Sequence, residues 1–196
     1  MFLLIWCYAA DLILGDPEWS WHPVRAIGKA IAFLDRKLRT RQGRWSERLE
    51  GVMLALSIVG ISAFSAYLII KVSGKLNPLL GKMAWIYLGY TTLSIKDLFL
   101  KAGAVLAKIK AGSLVEARWQ LSKIVGRDTQ KLSEEKIIRA TVESIAENTS
   151  DGIVAPLFYL ILGGPVLAVA YKTINTLDSM VGYKNKKYIN LSLIHI

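Results

Sequence analysis

Apolar and polar positions alternate along the chain in blocks, and each block predicts a helix of a particular kind. Met1 to Gly15 is apolar except for Asp11 and lacks a basic leading region. At about 1.5 Å per residue it falls short of a bilayer core of roughly 30 Å, so it predicts an uncleaved, partly embedded helix. Asp11 within it is either a charge paired with protein or a helix-end residue near water. Gly15-Asp16-Pro17 reads as a turn, because proline pushes the residue before it out of the α region and glycine tolerates positive φ. Trp19 and Trp21 follow where an interfacial aromatic belt would lie. His22-Pro23 then opens a helix on which Val24, Ile27, Ile31, Leu34 and Leu38 form one apolar stripe. Arg25, Lys29, Arg36 and Lys37 lie off that stripe, which is the pattern of an amphipathic helix at an interface.

Gly51 to Ile70 carries no charge over twenty residues, the length needed to cross a bilayer. Its Ser57, Ser62, Ser65 and Ala66 suit close helix contact. Lys71 to Lys82, broken by Gly74, Asn77-Pro78 and Gly81, predicts a short connection. A second span is expected from about Met83 to Leu100, with Lys96-Asp97 near its cytoplasmic end. Lys101 to Ser150 is a long polar segment with helical patterning through Ala117 to Leu121 and Lys136 to Ile145. Gly126 supplies a turn between them. Gly152 to Tyr171 is again uncharged for twenty residues, but Gly163-Gly164-Pro165 breaks it at the middle. A single crossing would put Lys172, Asn175 and Asp178 on the opposite side from Glu147 and Asp151. A re-entrant hairpin would return them to the same side. The class that fits all of this is all-α: a polytopic α-helical integral membrane protein with interfacial amphipathic helices and a broken or re-entrant membrane segment.

Composition agrees. Hydrophobic residues make up 53% of the chain and its mean hydropathy is +0.37, high for a soluble protein. The net charge of +10 comes with no nucleic-acid motif and no basic residues interleaved with aromatics, so a nucleic-acid partner is not expected. The excess instead signals topology and attraction to anionic lipid or phosphate. Between Arg25 and Arg48 eight basic residues stand against Asp35 and Glu47, which places that loop in the cytoplasm. The single cysteine, Cys7, has no intrachain partner and reads as a buried thiol.

The chemistry concentrates between Arg139 and Tyr183. Glu143, Glu147 and Asp151 recur at i, i+4 and i+8, so on a helix they stack along one stripe and repel. A Mg²⁺ ion, or basic side chains such as Arg139 or Lys172, would compensate them; a solvated acidic face with no ligand fits the spacing equally well. Arg127 is suited to gripping a phosphate with both edges of its guanidinium, or to a surface pair with Asp128 beside a helix cap.

The run V-E-S-I-A-E-N-T-S-D-G-I-V-A-P-L-F, followed by G-G-P and Y-K-T-I-N-T-L-D-S-M-V-G-Y, resembles the cobalamin-biosynthesis membrane protein family, the adenosylcobinamide-phosphate synthases. G-D-P at Gly15 to Pro17, H-P-V at His22 to Val24 and V-G-R-D at Val125 to Asp128 join it in the family's order, up to about Asn190. The resemblance implies a multi-pass inner-membrane enzyme whose site faces the cytoplasm. It would join a carboxylate of adenosylcobyric acid to the amine of aminopropanol phosphate or a related amino alcohol, with ATP and Mg²⁺. Because both motifs would then serve one reaction, the hairpin is the expected form of the Gly152 to Tyr171 segment. No G-x-x-x-x-G-K-[ST] or G-x-G-x-x-G loop is present, so a nucleotide would depend on carboxylate-held Mg²⁺ with Arg and Lys. The expected roles are Glu147 and Asp151 as metal ligands, and Glu143, Glu147, Asn148 and Asp178 as catalytic groups. Asp16, His22, Arg127, Asp128, Lys172 and Asn175 would contact substrate or phosphate. Lipid, a second copy of the chain and other cobalamin-assembly enzymes are expected partners. A transporter or channel subunit for a corrinoid or other solute is the alternative, and a membrane scaffold a third. Residues 1–190 read as one domain. The closing LSLIHI, residues 191–196, does not match the family's polar continuation; it is expected to be a foreign tail on a truncated frame, which sets His195 aside and would leave the fragment short of part of its site.

Overall fold

The computed structural model describes residues 2–15, 22–38 and 44–181, with side-chain environments for 2–15, 22–36 and 51–181. Among these residues the fold is entirely helical, in the order α1 (Phe2–Leu14), α2 (Pro23–Leu38), α3 (Arg44–Leu76), α4 (Pro78–Tyr90), α5 (Ile95–Lys110), α6 (Leu114–Ser122), α7 (Glu134–Thr149), a single π-helical turn (Ser150–Val154) and α8 (Ala155–Val181). Two packed bodies result. In the apolar one, Ile27 and Ile31 of α2 meet Leu54 and Ile58 of α3 and Val169 and Leu177 of α8. Cys7 of α1, Tyr90 of α4 and Leu160 and Ala168 of α8 form a second cluster alongside. In the polar one, Val105 of α5, Ala117 and Leu121 of α6 and Ile137 and Ala140 of α7 close a small three-helix core. Ile27, Ile31 and Leu34 of the stripe expected on α2 lie in the apolar packing.

Two helical stretches are long and apolar enough to cross a membrane, Gly51–Leu76 and a continuous run through Glu134–Val181. Only 17% of the apolar window in Gly51–Leu76 is buried, and Leu56, Ile61 and Phe64 are each at least 60% exposed. A helix that greasy and that open is consistent with a membrane protein, because a soluble core helix would hide those side chains.

The second stretch is not straight. Gly163 (φ −147°, ψ 21°) and Gly164 (φ 65°, ψ −162°) leave the helical region and Pro165 follows, so α8 is two arms, residues 155–162 and 165–181, joined by a reversal. Gly164 occupies a left-handed φ that L side chains avoid, and a Cβ there would stand 3.2 Å from Trp85 Nε1. The rings of Tyr159 and Tyr171 stack with centroids 4.9 Å apart. On a straight helix those twelve residues would span roughly 18 Å. The chain therefore reverses at the break, as a hairpin requires, with a first arm of about 12 Å.

Two expectations need correction. No loop spans Lys71 to Lys82: α3 runs on to Leu76, and α4 starts at Pro78 with the Leu79 N–H donating to Asn77 Oδ1 at 2.7 Å. Asn77 alone makes the turn, since Pro78 fits a first helical position and Asn77 supplies the cap. Gly74 and Gly81 permit the tight hairpin; a Cβ on Gly81 would lie 2.7 Å from Gly74 Cα. Nor does a continuous span cover Met83 to Leu100. The Thr91 and Thr92 hydroxyls donate back to the Leu88 and Gly89 carbonyls at 3.0 and 2.7 Å, and the chain turns before Ile95. With 13 residues, α4 is about 20 Å long and too short to cross alone.

Candidate functional site

The N-terminus of α5 is the junction between the two bodies. Asp11, buried in α1, accepts the Ile95 and Lys96 N–H groups on Oδ2 at 2.8 and 3.3 Å, while Ser94 offers no side-chain cap of its own. The Ser94 N–H donates to Gly152 O at 3.0 Å, and Lys172 Nζ approaches Ser94 Oγ at 3.4 Å. The π-turn and the second arm of α8 are thus pinned to one point. Directly beside it, α7, the π-turn, the end of α8 and the segment after α6 surround a cavity of about 680 Å³.

Of the expected residues, Arg127, Glu143, Glu147, Asn148, Asp151, Asn175 and Asp178 all line this cavity. The hairpin is what brings the last two to it. Asn175 Nδ2 lies 3.4 Å from Asp151 Oδ2, and the Tyr171 phenol also reaches the Asp151 carboxylate. Asn148 folds back on α7, Nδ2 to Ser144 O at 2.8 Å, and Ser144 Oγ donates to Ile124 O at 3.0 Å, holding the segment before Arg127 against α7. Arg127 Nη2 bonds Glu143 Oε2 at 3.0 Å, and Arg139 Nε bonds Glu143 Oε1 at 2.9 Å. These two guanidinium groups, Arg139 foremost, hold the Glu143 carboxyl below the usual carboxylate range. Glu143 is therefore a poor proton acceptor near neutral pH, and its place on the acidic stripe is compensated by arginine. The stripe does not continue unchanged, because the wider π-turn carries Asp151 off the straight helical register.

Three candidates fall elsewhere. Asp128 Oδ1 accepts the Gln130 N–H at 2.9 Å, a side-chain turn that shapes its own loop, and lies on a neighbouring cleft. Lys172 sits at the α5 junction. His22 is buried at the start of α2, away from the cavity lining, and Asp16 lies outside the described residues. Sequence reasoning missed Ser94, Ser144 and Tyr171. Ser144 and Tyr171 carry no signal beyond their types, whereas the Asp151-Gly152 pair hinted at a close approach, which Ser94 makes.

One arginine and four carboxylates line the cavity, so it favours a cationic group. Among the described residues no three His, Cys, Asp or Glu side chains cluster closely enough to hold an ion by themselves. Glu147 and Asp151 offer two carboxylates with amide oxygens nearby, a donor set that fits Mg²⁺ arriving with phosphate oxygens and water.

A family model described as CobD/Cbib protein matches residues 4–192. The chain is 47% identical over 180 residues to a protein named cobalamin biosynthesis protein CobD from Geobacter metallireducens, covering 92% of this chain and 56% of that one. It is 43% identical over 197 residues to the Klebsiella pneumoniae protein of the same name, covering 99% and 62%. To cobalamin biosynthesis protein CbiB from Salmonella typhi it is 42% identical over 197 residues, again covering 99% and 62%. It thus spans roughly three fifths of the length of these relatives. No solved structure matches it. With the family model covering nearly all of its residues and relatives this similar along them, the chain belongs to the CobD/CbiB family of cobalamin biosynthesis proteins.

Proposed function

We propose that the chain carries the site of an ATP-dependent amide ligase, which joins a carboxylate of adenosylcobyric acid to the amine of aminopropanol phosphate or a related amino alcohol. The observation that carries this reading is the acidic cavity at the open end of the apolar hairpin, found in a chain of a cobalamin biosynthesis family. The enzyme sits in the inner membrane with several spans. Its site faces the cytoplasm, on the side of the basic segment from Arg25 to Arg48.

The amine arrives as an ammonium ion, and Glu147, Asp151 and Asp178 attract it. The acid must first be activated, by transfer of a phosphoryl group from ATP to give an acyl phosphate and ADP, or of an adenylyl group to give an acyl adenylate and pyrophosphate. Attack of the free amine on the acyl carbon then forms the C–N bond and expels phosphate or AMP, and the amine's proton passes to a carboxylate. Asp178 suits that task better than Glu143, which two arginines hold ionised. Asn148 and Asn175 orient the amide-rich corrinoid edge. Mg²⁺ bound with the nucleotide would neutralise phosphate charge, held by Glu147 and Asp151.

The test is product formation by the full-length protein in membranes, followed by mass spectrometry. Adenosylcobinamide phosphate appearing only with ATP, Mg²⁺, adenosylcobyric acid and aminopropanol phosphate together supports the reading. No amide, with movement of a corrinoid across sealed vesicles, would replace it with the transporter that the broken apolar segment also suits.

A further inference from the structure

Arg127 stands between two hollows. On one side is the acidic cavity; on the other is a cleft of about 380 Å³ lined by Val115, Arg118, Trp119, Ser122 and the turn through Gln130. Their charges differ. The cleft has two arginines against Asp128, whereas the cavity has one arginine against four carboxylates. A polyphosphate without its metal ion is therefore drawn to the cleft and repelled by the cavity, and an ammonium ion the reverse; the terminal phosphate would near the carboxylates only through the Mg²⁺ that Glu147 and Asp151 would hold. The cleft also keeps a large aromatic surface open, with Trp119 59% and Val115 75% exposed. Lys123 Nζ covers one face of the indole, 3.4 Å from the ring centroid, so a base would use the other face, and the ammonium adds a third positive charge nearby.

The cleft is held in shape before any ligand arrives. Arg118 Nε donates to Leu132 O at 2.8 Å, and the buried Thr129 donates its hydroxyl to Arg118 O at 2.9 Å. This ties the loop to α6 and fixes one edge of the Arg118 guanidinium at the cleft wall.

We propose that this cleft is the nucleotide site, with the purine ring against Trp119 and the phosphates toward Arg118 and Arg127. It rests on the ligase reading for the identity of the nucleotide. An amino-alcohol phosphate has no ring to place on Trp119, and the adenosyl group of the corrinoid has no phosphate for the arginines. Arg127, shared by both hollows, would set the phosphate end of the nucleotide beside the cavity that takes the amine.

The experiment is photolabelling of the membrane-embedded chain with 8-azido-ATP, followed by peptide mapping. Label should map to residues 114–132 and be chased by ATP, not by adenosylcobyric acid or inorganic phosphate at the same concentration. Trp119→Ala and Arg118→Gln should each weaken labelling by tenfold or more, with Trp119→Phe recovering most of the loss. In the ligase assay, Trp119→Ala should raise KM for ATP and leave KM for the corrinoid unchanged. Label on residues 143–151 or 175–179, equal chase by adenosylcobyric acid, or the absence of ATP-protected label would each overturn the proposal. The two readings fail separately: amide formation with label elsewhere sinks only the cleft assignment, and mapped label without amide sinks only the ligase.

Discussion

Asp11 shows how one residue joins two bodies. Its neighbours are apolar and it is 1% exposed, a costly place for a carboxylate unless hydrogen bonds compensate. They do: the first two N–H groups of α5, which have no partner within their own helix, point at Oδ2. The residue is thus a helix cap delivered from another helix, a role that combines the two readings open from the sequence. Removing it leaves those amides unpaired and frees the α5 N-terminus, to which Gly152 is pinned. Asp11→Ala should cost about 1–2 kcal/mol. Denaturant titration in detergent micelles measures this, and an unchanged midpoint would refute it. Glu143 illustrates the opposite limit. Its i, i+4 pairing with Arg139 was legible in the spacing, whereas the second pair with Arg127, sixteen residues away, depends on a loop path that no local pattern specifies. Because its carboxyl titrates below the usual value, whatever the pairs contribute is present at neutral pH and is lost only in acid, below about pH 4. An inflection in the pH–rate profile between 6 and 8 should therefore survive Glu143→Gln unmoved.

At the scale of elements, the α8 hairpin and the α4–α5 turn differ in what betrayed them. Gly163-Gly164-Pro165 combines a left-handed position with a residue that cannot continue a helix, so the break could be read locally. The turn after Tyr90 contains neither glycine nor proline, and its apolar run continues through Leu93. It forms because the Thr91 and Thr92 hydroxyls bond back into α4 and because Ser94 is caught by Gly152, 58 residues later in sequence. That second partner is tertiary, which is why a continuous span was expected instead. The hairpin itself is open to a direct test. Tyr159→Cys and Tyr171→Cys, with Cys7 replaced by serine, should be joined by a short bismaleimide in high yield. A straight α8 would hold them roughly 18 Å apart and give none. Gly164→Ala should lower the yield as well as stability, by about 1–2 kcal/mol, since alanine resists the left-handed conformation.

For the whole molecule, the apolar body and the three-helix polar body meet where α5 begins, and the cavity lies along that seam. The membrane character and the existence of a separate polar segment follow from composition and periodicity. The seam does not, because Ile124, Arg127 and Asn175 are assembled by hydrogen bonds between elements far apart in sequence. If the hairpin is re-entrant in the membrane, single cysteines at the exposed Ser150 and Ser179 should react with an impermeant thiol reagent from the same face. Labelling from opposite faces would restore a simple crossing. The central claim is that this hairpin folds Asp151 into the site of an amide ligase. It is tested most directly by the initial rate of ATP-dependent amide formation in membranes at limiting Mg²⁺, comparing the full-length protein with its Asp151→Asn and Glu147→Gln variants. Each loses a carboxylate charge at nearly constant size, and the account predicts a fall of about 10²-fold or more, while the cross-link between Tyr159→Cys and Tyr171→Cys still forms when either change is added to that pair. Full turnover by both variants would contradict it and reduce the acidic stripe to a solvated face.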